Sequence, residues 1–178
     1  MMEGIATERL IIRRFRENDW KDLHECFSDE RVLEFEPYKP FSEDACKEEA
    51  IRRTTDSSFW AVCLKGTNKL IGNVYFAEQD FNTWEIGYVF NSNYQGSGYA
   101  TESCMTIMNY AFKGLNARRI VAMCDPKNPP SWKLLERLKM RREGHLKQNI
   151  YFFMDENNKP IWKDTYEYGI LENEWMYI

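Results

Sequence analysis

Histidine is scarce in this sequence, and the cysteines lack the spacing of a metal site. Only two histidines occur among the 178 residues, and no Cys-x-x-Cys or His-x-x-x-His pattern is present. A zinc site in a protein usually draws on several closely spaced Cys or His ligands, so we expect no metal. The five cysteines are an odd number without paired spacing, which favours reduced thiols over a disulfide framework.

Long apolar runs and long basic runs are also missing. No segment approaches the length of about 20 residues that a membrane span needs, and the N-terminus lacks a basic start followed by an apolar stretch. We therefore expect a soluble, cytoplasmic protein without a membrane partner. The net charge is −4, from 24 basic and 28 acidic residues. This balance makes nucleic acid a poor partner and is compatible with a cationic amine as ligand.

The sequence contains no linker, repeat or low-complexity segment, which favours one domain over residues 1–178. A hydrophobic content of 43% and an aromatic content of 15% exclude a disordered chain and suffice for a sizeable core. Hydrophobic periodicity predicts a mixed α/β (α+β) domain of about six to seven strands and four helices. The predicted strands cover residues 7–15, 59–64, 70–76, 83–90, 120–124, 146–153 and 162–171. The predicted helices begin after Asp19, after Ser42, near Ala100 and near Pro129.

A strand, a glycine-containing loop and a helix follow one another in the middle of the chain. Residues 83–90 alternate as in a strand, and apolar residues recur at helical spacing from Ala100 onward. Small residues between them let a ligand approach the backbone, and the N–H groups of a helix's first turn point at an anion. The sequence thus predicts a phosphate-binding loop, whose candidate contacts are Gln95, Gly96, Ser97, Gly98, Tyr99 and Ala100.

The spacing within this loop separates three known phosphate motifs. No lysine follows the glycines as in a nucleoside-triphosphate loop, and Thr101 stands where a dinucleotide fingerprint has its third glycine. The pattern Gln-x-x-Gly-x-Ala, read at Gln95, Gly98 and Ala100, resembles the pyrophosphate-binding motif of the GNAT superfamily of acyl-coenzyme A N-acyltransferases. The order of predicted elements is similar to the GNAT topology as well. The resemblance implies a strongly twisted, mostly antiparallel sheet flanked by four helices, with acetyl-CoA as co-substrate.

Five local patterns resemble one branch of that superfamily, the ribosomal-protein-alanine acetyltransferases. They cover residues 7–13, residues 85–88, Asn128-x-x-Ser131, residues 141–144 and Trp162-x-Asp164-x-x-x-Tyr168. The resemblance implies direct transfer of an acetyl group to a protein N-terminal α-amine, with a ribosomal protein among the candidate acceptors. Acetylation of a small amine, such as an antibiotic or polyamine, stays open, as does a coenzyme-binding module without turnover. A homodimer is also open.

Transfer from a thioester to an amine needs a held coenzyme, a polarised carbonyl, a neutral amine and a protonated leaving thiolate. Gly87 in mid-strand permits a bulge or a close backbone approach. Main-chain groups of Val89 and Phe90 are then expected to meet the pantetheine arm and the thioester oxygen. Glu85 shares a strand face with Gly87 and Val89 and is the predicted base, acting directly or through water. A solvated glutamate without a catalytic role is the alternative.

The residue that would protonate the leaving thiolate differs from the one that the resemblance implies. Many GNAT members use a tyrosine seven residues after the asparagine that matches Asn128, and this sequence has Leu135 there. Ser131 is the remaining hydroxyl, and the resemblance places the matching serine near the coenzyme sulfur; a helix N-cap is the alternative. Asn128 is expected to bond the pantetheine amides, unless it is a turn residue only. Tyr166 and Tyr168 are candidates for the acceptor pocket, with packing as the alternative.

Overall fold

One mixed sheet of eight strands runs through residues 4–175, the part of the chain that the computed structural model describes. The strands are β1 Gly4–Ala6, β2 Leu10–Arg13, β3 Phe59–Leu64, β4 Leu70–Gln79, β5 Thr83–Phe90, β6 Arg119–Cys124, β7 Arg141–Met154 and β8 Pro160–Leu171. Their order in the sheet is β1-β2-β3-β4-β5-β6-β8-β7. Only β5 and β6 pair in parallel, which confirms the mostly antiparallel sheet. The ends of the single domain expected over residues 1–178 lie outside the described residues.

Helices cover both faces of this sheet. They are α1 Trp20–Phe27, α2 Glu30–Leu33, α3 Glu43–Thr55, α4 Tyr99–Gly114 and α5 Pro129–Arg137. Successive residues of a strand point to opposite faces, and on β3 Trp60 packs in one cluster with α4 and α5, while Ala61 packs in another with α1 and α3. The core therefore has two layers. Between residues 4 and 175, no helix is long and apolar enough to cross a membrane.

Two short elements raise the counts to eight strands and five helices, above the predicted six to seven and four. Of the predicted strand over residues 7–15, only Leu10–Arg13 is a strand, and it forms a hairpin with the preceding β1. Thr7 closes the turn between them: its N–H donates to the Leu10 carbonyl at 2.9 Å, and its hydroxyl accepts from the Leu10 N–H at 2.9 Å. The extra helix, α2, is a single turn capped by Asp29. One turn carries too little periodicity to be recognised in a sequence.

The parallel pair at the centre of the sheet opens partway along. β5 and β6 pair only from Thr83 to Glu85 on one strand and from Arg119 to Val121 on the other. Beyond this point β5 continues to Phe90 and β6 to Cys124 without pairing to each other. The two strands therefore expose main-chain edges to a cleft between them, with α4 and α5 beginning near its two sides.

Candidate active site

The cleft leads into a cavity of about 1270 Å³. Its walls come from the free end of β5, the loop before α4, the start of α5, the segment after α2 and the hairpin of β7 and β8. Loop, strand and helix residues predicted to contact the coenzyme meet here, namely Val89, Phe90, Gln95, Gly96, Gly98, Tyr99, Ala100, Asn128 and Ser131. The cavity thus brings together parts of the chain that are far apart in sequence.

The loop before α4 forms one end of the cavity. Gly96 and Gly98 have φ angles of +75° and +81°, which side-chain-bearing residues rarely adopt. A Cβ at Gly96 would meet nothing within 4 Å, so the backbone conformation rather than crowding favours glycine there. The turn aims the first N–H groups of α4, which lack partners within the helix, at the cavity. This geometry suits an anion, as the sequence predicted.

Arg9 holds the outer side of the same loop. Its Nη1 donates to the Ser97 carbonyl at 2.9 Å, and its Nε donates to Glu102 Oε2 at 2.7 Å. The guanidinium also lies over the Tyr99 ring, 4.5 Å from its centroid. Ser97 itself does not line the cavity, so it contributes to the loop's conformation through its main chain. Sequence reasoning missed Arg9, although it lies in one of the family-like patterns.

Three cations on the opposite wall were also missed. Lys127 lies just before α5, Lys133 and Arg137 lie within it, and all three line the cavity. Lys133 and Arg137 are four residues apart and so share one helix face. Lysine and arginine are the residues that commonly bind phosphates in proteins, and this wall could hold the phosphates of a nucleotide-containing coenzyme.

The register of β5 decides which main-chain groups face the cleft. Asn91 N–H donates to the Ile71 carbonyl of β4 at 3.0 Å, and alternate residues of an antiparallel ladder bond to the same neighbour. Val89 therefore bonds to β4 through its main chain and meets the cavity with its side chain only. Phe90 has its main chain toward the cleft, and its carbonyl accepts from Gln95 Nε2 at 3.0 Å.

Gly87 leaves space beside β5 and does not form a β-bulge. The pairing of β4 with β5 runs through Gly87 and Tyr75 without a register shift. A Cβ at Gly87 would lie 3.7 Å from the Tyr75 Cβ, an ordinary contact. The missing side chain therefore opens the cavity on the face that carries Tyr75.

Ser131 lies against a tyrosine that the sequence did not reveal as a partner. Asn128, not Ser131, is the N-cap of α5, because Asn128 Oδ1 accepts from the Ser131 N–H at 3.3 Å. The Tyr88 hydroxyl is 3.0 Å from both the Ser131 carbonyl oxygen and Ser131 Oγ. Burial raises the pKa of Tyr88, which keeps the phenol protonated. The phenol can donate to the carbonyl and leave the Ser131 proton for a ligand. A hydroxyl pair thus stands where β5 and β6 separate.

Glu85 lies at the edge of this arrangement. Its carboxylate accepts from Gln79 Nε2 at 3.2 Å, and burial raises its pKa. Glu85 is not among the residues that line the cavity, whereas Gly87 and Tyr75 beside it are. Its role as the base stays a prediction.

A different carboxylate does line the cavity. Glu36 follows α2, and no described residue donates a hydrogen bond to its carboxylate. Burial raises the pKa of Glu36 to about 7, against the opposing charge of Lys163. Lys163 projects from β8 and pairs with Asp125 at 3.0 Å. The sequence signal was an acid set between Phe35 and Pro37, which places a carboxyl in apolar surroundings.

Tyr166 and Tyr168 lie outside the cavity lining. The Tyr168 hydroxyl donates to Glu136 Oε1 at 3.1 Å and accepts from Arg142 Nε at 3.0 Å, and only 1% of the residue is exposed. The Arg142 guanidinium lies 3.8 Å from the Tyr166 ring centroid. Both tyrosines take even positions on β8, so they point away from the face of Lys163. Their role in acceptor binding stays a prediction. Among the described residues, no group of three or more His, Cys, Asp or Glu is placed to hold a metal ion.

Comparison with known proteins agrees with this geometry. The family model described as an acetyltransferase (GNAT) domain matches residues 9–141. The uncharacterized N-acetyltransferase YnaD of Bacillus subtilis is 40% identical over 96% of this chain and 98% of its own length. The crystal structure of a GNAT-family acetyltransferase from Bacillus anthracis is 37% identical, with a TM-score of 0.87, over 96% of this chain and 99% of that one.

A more distant relative is named as a ribosomal-protein acetyltransferase. The [ribosomal protein uS5]-alanine N-acetyltransferase of Escherichia coli is 21% identical over 96% of this chain and 92% of its own length. The resemblance to that branch is thus confirmed as a distant one. On the strength of the family match and the nearer relatives, the chain belongs to the GNAT family of N-acetyltransferases, enzymes that transfer an acetyl group, typically from acetyl-CoA, to an amine.

Proposed function

We propose that this enzyme transfers the acetyl group of acetyl-CoA directly to the α-amine at the N-terminus of a protein or peptide. Glu36 is the observation that carries the proposal: its carboxylate lines the cavity without a hydrogen-bond donor among the described residues, and burial raises its pKa toward that of an α-amine. A free α-amine has a pKa of about 7.7–8.0, against about 10.4 for a lysine side chain. Proton transfer to Glu36 is therefore unfavourable by about one pH unit for the α-amine and by more than three for lysine.

The coenzyme's phosphates bind at the loop before α4 and along the cationic face of Lys133 and Arg137. Its pantetheine arm follows the cleft, where Asn128 Nδ2 and the main chain of Phe90 can bond it. Main-chain N–H groups at the free edge of β5 polarise the thioester carbonyl. The geometry supports this placement because all these groups line one continuous cavity.

In the chemical step, the amine nitrogen bonds to the thioester carbon and the carbon–sulfur bond then breaks. Glu36 accepts the proton that the nitrogen loses and then releases it to solvent. The thiolate leaves beside the Ser131 hydroxyl, which Tyr88 orients, and takes up a proton from solvent as the products separate. Direct transfer is supported by the cysteines: burial raises the pKa of Cys104, and raises that of Cys124 to about 11, so neither is a ready nucleophile.

The cavity carries charges of both signs, since Arg53 and Lys163 line it together with Glu34, Glu36, Asp125 and Asp164. Arg53 pairs with Glu49 and Lys163 pairs with Asp125, which leaves Glu36 as a single carboxylate for one amine. A peptide N-terminus brings one positive charge, whereas a polyamine brings several. Ribosomal proteins are one class that presents such an N-terminus in the cytoplasm. The cytoplasmic location and the homodimer stay predictions.

The test compares three acceptors at pH 7.5, with thiol release from acetyl-CoA as the readout. Peptides beginning with Ala or Ser should be acetylated at least tenfold faster than the same peptides blocked at the N-terminus and carrying lysine. Spermidine should be slower than the free peptides. A preference for the blocked lysine peptide, or for spermidine, would refute the proposal. Coenzyme binding without thiol release on any amine would favour a binding module.

A further inference from the structure

A second polar cluster lies at the acceptor end of the cavity and has no part in the proposed chemistry. We call it the Arg53 cluster: Arg53 from α3, Asn73 and Tyr75 from β4, and Tyr38 from the segment between α2 and α3. All four residues line the cavity. Arg53 is 2% exposed and Asn73 is 3% exposed, so the cavity floor is the only place where they can meet a ligand.

Arg53 has more hydrogen-bond donors than described partners. A guanidinium carries five N–H groups. Its Nε donates to Glu49 Oε1 at 2.6 Å and its Nη1 donates to Asn73 Oδ1 at 3.1 Å. The remaining three N–H groups have no oxygen partner among residues 4–175. Aromatic rings pack against the guanidinium with centroids at 4.2 to 5.2 Å, and they belong to Phe59, Phe27 and Phe15. The rings supply no oxygen acceptor, so these three N–H groups remain available to a ligand.

The other three residues of the Arg53 cluster add hydrogen-bond donors. Asn73 uses its amide oxygen for Arg53, and its amide N–H groups have no partner within the described chain. The hydroxyls of Tyr38 and Tyr75 likewise bond to none of the described residues. Glu49, the carboxylate that pairs with Arg53, divides its hydrogen bonds between Arg53 and the exposed Arg52. Arg53 and Asn73 are the buried donors of the cluster. Buried donors in native proteins almost always have an acceptor, so a ligand that brings acceptor oxygens fits this floor.

We infer that the Arg53 cluster binds a carboxylate of the acceptor, so that the preferred substrate is a peptide with an acidic side chain in its first two positions. The inference rests on the proposed function for the position of the amine. A carboxylate is an acceptor-only group with two oxygens, and the edge of a guanidinium matches it in two parallel hydrogen bonds. Tyr38 lies two residues from Glu36, which puts the carboxylate site and the base on one short segment.

The experiment uses two peptide pairs that differ only in charge, Ser-Glu against Ser-Gln and Glu-Ser against Gln-Ser, each continued by the same neutral tail. With the native enzyme, kcat/KM should be at least tenfold higher for the acidic member of one pair. Asn73→Asp keeps the oxygen that accepts from Arg53 and adds a negative charge at the site. It should bring that ratio close to one, because the added charge repels the acidic peptide and pairs with Arg53. Asn157→Asp, the same change in the exposed turn between β7 and β8, should keep the native ratio.

A ratio below about two for both pairs in the native enzyme would overturn the inference while leaving N-terminal acetylation standing. An equal loss of activity on acidic and amide peptides in Asn73→Asp would overturn it as well. If no peptide is acetylated, calorimetric titration of the coenzyme A complex with propionate and propionamide replaces the assay. Binding of propionate alone, lost in Asn73→Asp, supports the carboxylate site without the proposed function. Equal binding of both, or of neither, refutes it.

Discussion

Replacing Glu36 by Gln removes the candidate base without changing the size of the side chain. General bases contribute about 10²–10⁴-fold to rate, and an α-amine is already about one-tenth neutral at pH 7. We therefore expect kcat/KM for an N-terminal peptide to fall by about 10²-fold at pH 7. About tenfold of this loss should be recovered by pH 9, because the amine then deprotonates in solution. The half-maximal pH should move from about 7, the pKa of Glu36, to about 8.

The same variant has a thermodynamic signature. The pKa of Glu36 is about 7 in the folded protein against 4.5 for a free glutamate, so the folded state binds more protons between these values. Stability consequently falls as pH rises from about 4.5 to 7. At about 1.36 kcal/mol per pH unit, the native enzyme should lose about 2 to 3 kcal/mol between pH 5 and pH 8 on account of this group. Glu36→Gln should lack that loss.

The assays are initial rates of thiol release from pH 6 to 9 and urea unfolding at pH 5 and 8. Glu34→Gln is the matched control, because Glu34 is an exposed carboxylate that lines the same cavity two residues away. Glu85→Gln tests the alternative base. A large rate loss in Glu85→Gln together with a native profile in Glu36→Gln would refute the assignment of Glu36. An unchanged pH dependence of stability in Glu36→Gln would refute the raised pKa.

Three further outcomes test the rest of the site. Gly96→Asp should raise the KM for acetyl-CoA at least tenfold over that of Gly96→Ala, which corresponds to about 1.4 kcal/mol. Both variants share the strained φ, and only Asp adds a negative charge beside the phosphates. Equal KM values in the two variants would contradict the loop's role. Ser131→Ala should lower kcat with little effect on the KM for acetyl-CoA, and Tyr88→Phe should lower kcat by a smaller factor. Full activity in Ser131→Ala would exclude the hydroxyl from thiolate stabilisation. Cys104→Ala and Cys124→Ala should keep substantial activity with intersecting double-reciprocal plots, and parallel plots with a trapped acetyl-enzyme would show a covalent route.

The conformation of the glycine loop before α4 was predictable because its determinants are local. Positive φ angles at Gly96 and Gly98 and the helix that starts at Tyr99 follow from a few consecutive residues. The alternation of β5 and the proline-marked start of α5 are local signals too. These patterns were sufficient for the GNAT fold, and the family comparison agrees.

The sequence indicated a helix cap at the start of α5 and main-chain groups of β5 facing the cleft, but it did not identify which residue takes each position. Asn128 takes the capping position considered for Ser131, because the two prolines after it set where α5 begins. Val89 turns its main chain to β4 because the register of the ladder, set by pairing with Asn73, assigns alternate residues to each neighbour. Which residues of β5 bond to β4 depends on how the two strands pair, and the sequence of β5 alone does not specify that pairing.

Only the tertiary structure decided the chemistry of the acceptor end. Glu36, Arg53 and Tyr88 lie in three separate parts of the chain. Their properties arise from what surrounds them: burial raises the pKa of Glu36, three N–H groups of the buried Arg53 lack an oxygen partner among the described residues, and the start of α5 brings Ser131 within 3.0 Å of the Tyr88 hydroxyl. Burial and long-range proximity are properties of the packed chain, so the sequence by itself determined the fold and the glycine loop before α4, and packing determined the candidate base and the candidate acceptor site.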